Sequence, residues 1–248
     1  MATTPAAVSS PQAIKPVAIA PRWHTIVLVA ALLLFSFSAA QRHQQFTSKQ
    51  GHITLYVATM AWQYVMLGYI YFGVRRHGGR LRDLVGGRWN EVEDFLIDVG
   101  VAAAYWIVSA IVLAGLLYLF GFSDQAKLQQ ARKVIEVLMP QTTVEIILWI
   151  CVSITAGFCE EIIFRGYLQR QFAAISGSMT VGVIGQALLF GLGHGYQGPE
   201  RMFVIAVWGS MFGALALWRK SLRPGMMAHT FHDTLAGIAG RFMVGIAR

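Results

Sequence analysis

The chain has 248 residues, of which 56% are hydrophobic and only 13% charged, with a mean hydropathy of +0.54; this lies outside the soluble range and excludes a disordered chain. Lys and Arg outnumber Asp and Glu by 20 to 12, a formal +8, which suits loops that fix orientation in a membrane and implies no nucleic-acid partner. The two cysteines, Cys151 and Cys159, lie eight apart in one apolar stretch, about 12 Å along a helix, too far for a disulfide. The composition predicts an integral membrane protein, and the bilayer-length apolar runs along the chain predict an all-α fold, a polytopic membrane helix bundle with the lipid bilayer as its solvent.

Residues 1–22 are rich in Ala, Pro, Ser and Thr with no apolar periodicity and read as a disordered tail. The apolar run 26–40 follows, taken as a retained span rather than a cleavable signal because the tail before it is long and weakly charged. Further apolar stretches near 53–73, 96–122, 143–164, 178–195, 202–218 and 225–247 approach bilayer-spanning length. The total is about seven transmembrane helices, the fifth and sixth short. Arg75, Arg76, Arg80, Arg82 and Arg88 crowd the segment between the second and third spans, which predicts that this loop is cytoplasmic. Parity then puts the turns near 170–177 and 219–223 on the same side, and the loop 123–142 outside, where a surface amphipathic helix is expected. Gly191 and Gly195, and Gly209 and Gly213, are four apart, a spacing that lets helices approach closely.

Ionisable groups inside apolar spans are costly unless paired or facing a cavity, so each is a functional candidate. Glu145 is set aside as a capping-box partner of Thr142, and Asp98 is expected to reach the interface. At the end of the fourth span stand Glu160, Glu161 and Arg165. Glu161 and Arg165 share a helical face and can pair, while Glu160 points about 100° away; the alternative is that both acids mark a helix end. The fifth span ends with His194 flanked by glycines, and the seventh opens with His229, His232 and Asp233, His229 and Asp233 sharing a face. Counting back from a turn near 170–177 puts Glu160 roughly 15 Å and His194 roughly 25 Å deep. Their meeting therefore requires the fifth helix to tilt, kink or unwind.

Read as Glu-Glu-x-x-x-Arg, Phe-x-x-x-His and His-x-x-x-Asp, these pieces resemble the motifs of the CAAX-processing and bacteriocin-processing (abortive-infection-type) intramembrane protease family. The resemblance covers roughly 143–240 and divides the chain into a tail (1–22), N-terminal membrane helices and loops (23–140) and a catalytic membrane domain (141–248). It implies an endopeptidase of the CAAX prenyl protease type in a bacterial cytoplasmic membrane, opening toward the cytoplasm and cutting membrane-associated peptides or lipidated proteins. By the same resemblance Glu160 and His194 activate water, Glu161 with Arg165 organises the site, and His229 with Asp233 stabilises the oxyanion. The family often has Asn at position 233. An Asp there can donate a hydrogen bond only when protonated; otherwise it orients His229. No cofactor is expected, the competing reading being a zinc enzyme with Glu160, His194 and His229 as ligands and an open fourth position. A second class is a non-proteolytic membrane immunity, scaffold or transport protein that uses the same buried Glu and His as a proton relay.

Overall fold

The computed structural model describes residues 16–43, 51–120, 124, 129 and 138–246. Within them the chain forms helices and no strand. They are α1 (Arg22–His43), α2 (His52–Arg76), the short α3 (Leu81–Val85), α4 (Val92–Leu119), α5 (Thr143–Ser176), α6 (Met179–Leu192), α7 (Pro199–Arg219) and α8 (Arg223–Ile246), with a 3₁₀ turn at Gly195–Gln197. The seven longer helices match the seven apolar runs. Four of them, α2, α4, α5 and α7, are long and apolar enough to cross a membrane, and α1 and α6 contain shorter apolar stretches. Large apolar side chains such as Val65, Phe72, Ile111 and Leu188 face outward, as they do where lipid replaces water. Together these features mark an integral membrane protein. The expected surface helix within 123–142 and residues 1–15 of the expected tail lie outside the described residues.

α5 is the central element: half of its apolar window is buried inside the protein, against 11% for α4. It starts where Thr142 and Glu145 cap each other reciprocally, an arrangement that satisfies two orphan N–H groups. It stops at Gly177, whose left-handed backbone (φ 75°) glycine tolerates without a Cβ penalty. Ser178 then caps α6, so α5 and α6 form a tight antiparallel hairpin. The fourth span was expected to end near 164; instead the helix continues to Ser176. Arg165 does not mark an interface, because its charge is neutralised inside the bundle. Asp98, expected to reach the interface, is covered by protein at the helix ends, next to Arg219, the last residue of α7. It is 4% exposed, pairs with Arg219 at 2.9 Å and accepts from the Trp89 indole.

One end of the bundle is stitched together by backbone carbonyls. Arg170 donates to the carbonyls of Asp83 and Leu84, Arg223 to that of Gly86 at 2.6 Å, and the Leu222 amide to that of Val85. The residues just before α1 dock at the same end. Gln171 accepts from the Ile19 amide and donates to the Ala20 carbonyl and the Thr25 hydroxyl, while His24 meets the Tyr167 hydroxyl at 2.6 Å.

Candidate active site

Glu160 and Glu161 lie near the middle of α5, sixteen and fifteen residues before its last residue, Ser176, so they do not mark a helix end. From Glu161 to Leu168 the helix widens to a π-helix, a local i→i+5 geometry that recurs at functional sites. Around this segment the two adjacent acids meet opposite surroundings. Glu161 is fully buried; its Oε1 accepts from Arg165 at 2.9 Å and faces His229 Nδ1 at 3.1 Å. The Arg165 guanidinium lies over Phe190 at 4.5 Å and Phe212 at 4.9 Å and donates to the Gly209 carbonyl. Aromatic faces and a bared glycine carbonyl thus satisfy a charge that would otherwise be costly in an apolar interior. The side chain of Glu160 keeps 20% exposure, and its Oε1 accepts from Gln63 Nε2 on α2 at 2.8 Å.

α8 brings the third group. Gly157 lets α8 approach α5, since a Cβ there would collide with Thr230 and the backbone around Met226. The approach sets His229 among three carboxylates: Glu161 at Nδ1, and at Nε2 Asp233 Oδ2 at 3.5 Å and Glu160 Oε2 at 3.8 Å. Phe190, Trp208 and Phe212 box the imidazole in. Asp233 is thus next to His229 in a position to orient it, and its own carbonyl accepts from the Trp149 indole at 2.8 Å. His232 packs on Trp208, away from these contacts.

His194 lies just past the end of α6, in the turn that precedes the 3₁₀ segment. The feared depth mismatch does not arise, because the α5–α6 turn is at Gly177–Ser178 rather than 170–177. Glu160 and His194 are each seventeen residues from Gly177, about 25 Å along either arm. One helical turn nearer the hairpin the Phe164 and Phe190 ring centroids are 5.0 Å apart, which brings α5 and α6 together at that level; Glu160 and His194 are each four residues further on. His194 Nδ1 is 2.9 Å from the Phe190 carbonyl, which fixes the ring and assigns any role toward a ligand to Nε2. Two residues on, Tyr196 lies within electrostatic reach of both Glu160 and Asp233.

Zinc would require Glu160, His194 and His229 to converge on one ion. Among the described residues no group of three or more His, Cys, Asp or Glu is arranged to hold a metal, and both ring nitrogens of His229 already face carboxylates. The residues as arranged do not fit that ion. The glycines expected to serve packing do more: the Gly209 carbonyl takes Arg165 and Gln186, and the Gly213 carbonyl takes Gln169. Gln63 went unnoticed in the sequence, although an amide within an apolar span is itself a signal of a polar partner across helices.

Residues 142–235, from the cap of α5 into α8, match the family model of the type II CAAX prenyl endopeptidase, Rce1-like. At family level this match is to an intramembrane endopeptidase, a peptidase acting on membrane-associated substrates. The match leaves α1–α4 outside it. No curated protein and no solved structure matches the chain.

Proposed function

We propose that the chain is an intramembrane endopeptidase that activates water with Glu160 and His194, without a covalent intermediate, and cuts membrane-associated peptides or proteins. One observation carries the reading above the others: of two adjacent acids, Glu161 is buried and spent on Arg165, while Glu160 remains partly exposed and bound to an amide rather than to a cation. Glu160 is therefore the carboxylate with an acceptor left for water. In the proposed reaction a water held between Glu160 and His194 Nε2 gives its proton to Glu160 as its oxygen attacks the scissile carbonyl. Glu160 returns that proton to the leaving amine, the role of a general base turned general acid. The oxyanion is met by His229 Nε2–H: Glu161 holds the ring through Nδ1, and Asp233 Oδ2, 3.5 Å from Nε2 and beyond a strong hydrogen bond, leaves that donor available; a preformed donor there is worth a few kcal/mol of barrier.

Each remaining group supports the site from behind. Glu161 with Arg165 fixes His229 through Nδ1, and the aromatic box keeps that ring from turning. We take the metal-free mechanism because no group of three or more His, Cys, Asp or Glu among the described residues is arranged to hold a metal; chelation with 1,10-phenanthroline is expected to leave cleavage unchanged, whereas loss of activity restored by zinc would reverse this choice. The basic loop and turns at the end that holds Arg88, Arg170 and Arg223 support a cytoplasmic opening. The family description supports a prenylated or otherwise lipidated substrate. Comparative proteomics of membranes carrying wild type or Glu160→Gln tests the whole reading: at least one membrane peptide is expected to stay uncut in the variant alone. Identical peptide sets in both would overturn it.

A further inference from the structure

Gln63 lies outside the segment that carries the family match, yet among the described residues it is the side chain of α1–α4 that hydrogen-bonds to a candidate catalytic residue. It is 5% exposed, sits midway along the apolar helix α2, and its Nε2 is 2.8 Å from Glu160 Oε1. An ionised carboxylate only accepts, so the amide must turn its NH₂ toward Glu160. Its own Oε1 is buried with no hydrogen-bond partner among the described residues. An amide placed this way in an apolar helix is costly unless its bond serves something.

We propose that Gln63 is a positioning residue that divides the work of the Glu160 carboxylate, anchoring Oε1 so that Oε2 is the oxygen left to take the proton from water. This inference rests on the proteolytic reading. The surroundings show why an anchor is needed. Glu160 Oε2 looks toward His229 on α8, and the carboxylate is within electrostatic reach of Asp233 on α8, Tyr196 after α6 and Cys159 on its own helix. Oε2 is 3.8 Å from His229 Nε2, beyond a hydrogen bond, so no strong contact on that side holds the carboxylate plane. Without Gln63 the group turns about its last bond, and either oxygen, or neither, meets the water. A charge-assisted bond of this kind contributes more than a neutral one, and its loss is expected to lower kcat about tenfold to a hundredfold with KM held within about twofold.

The test uses full-length protein in lipid nanodiscs. Infrared difference spectra against Glu160→Gln isolate the carboxylate band of Glu160. In Gln63→Leu that band is expected to shift as the donor is lost, and kcat to fall for a quenched-fluorescent peptide copied from a Glu160-dependent cleavage site. Gln63→Met, which keeps the side-chain length without the donor, repeats both readings and decides the matter where the Leu variant does not assemble. An unshifted band, an unchanged kcat, or a loss carried in KM overturns the proposal. Should no Glu160-dependent cleavage exist, the proteolytic reading fails by itself and with it the division of labour, while the infrared shift still reports whether Gln63 holds the carboxylate.

Discussion

At the scale of residues, burial separates Glu160 from Glu161 where sequence adjacency does not. The Glu161–Arg165 pair is buried on both sides, so removing one partner leaves an uncompensated charge. Arg165→Met is expected to cost about 3–5 kcal/mol, read as a lowered melting temperature in detergent, and adding Glu161→Gln to that variant should recover part of the loss. Asp233 carries a distinct prediction. If it orients His229 rather than donating to the oxyanion, Asp233→Asn keeps an acceptor toward Nε2 and retains kcat within about tenfold, whereas Asp233→Leu loses about a hundredfold or more. Comparable losses in both variants would show that the charge, not the contact, is what matters. The ionisable members of the candidate site could be picked out of the sequence because acids and histidines stand out in apolar spans. Gln63 could not, since a neutral amide is far cheaper in a membrane and escapes a search made by charge.

At the scale of elements, the α5–α6 hairpin and the approach of α8 set the geometry. The start of α5 could be read from Thr142 and Glu145, whose reciprocal cap is a local sequence signal. Its end could not, because the apolar run stops near 164 and the partners that bury Arg165 on α6 and α7 are distant in sequence. The error displaced the hairpin turn and produced the apparent mismatch in depth between Glu160 and His194. The π-helical stretch at Glu161–Leu168 has no compositional mark at all. Gly157 is a point of close approach between α5 and α8, where an added Cβ meets backbone atoms of Met226 and Thr230 that cannot swing aside. Gly157→Ala is expected to push α8 outward, lower stability by about 1–3 kcal/mol, and reduce turnover by withdrawing His229 from the acids. A variant with normal stability and turnover would show that α8 tolerates displacement.

At the scale of the whole molecule, the count of seven longer helices among the described residues followed from the apolar runs, while their arrangement depended on contacts between distant residues such as Arg219 with Asp98 and Arg170 with the carbonyls of α3. Arginines gather at one end of the bundle, and that end is expected to face the cytoplasm. With Cys151 and Cys159 replaced by Ser and Ala, a membrane-impermeant maleimide on intact cells should label Gly51→Cys and spare Arg88→Cys; the reverse pattern would invert the topology. The central claim is that a water activated jointly by Glu160 and His194 cuts the substrate, and it is tested most directly by purified protein acting on a peptide that wild type cleaves. His194→Ala and Glu160→Gln are each expected to lower turnover by about 10² or more with melting temperatures close to wild type. Turnover near the wild-type rate in either folded variant would contradict the account.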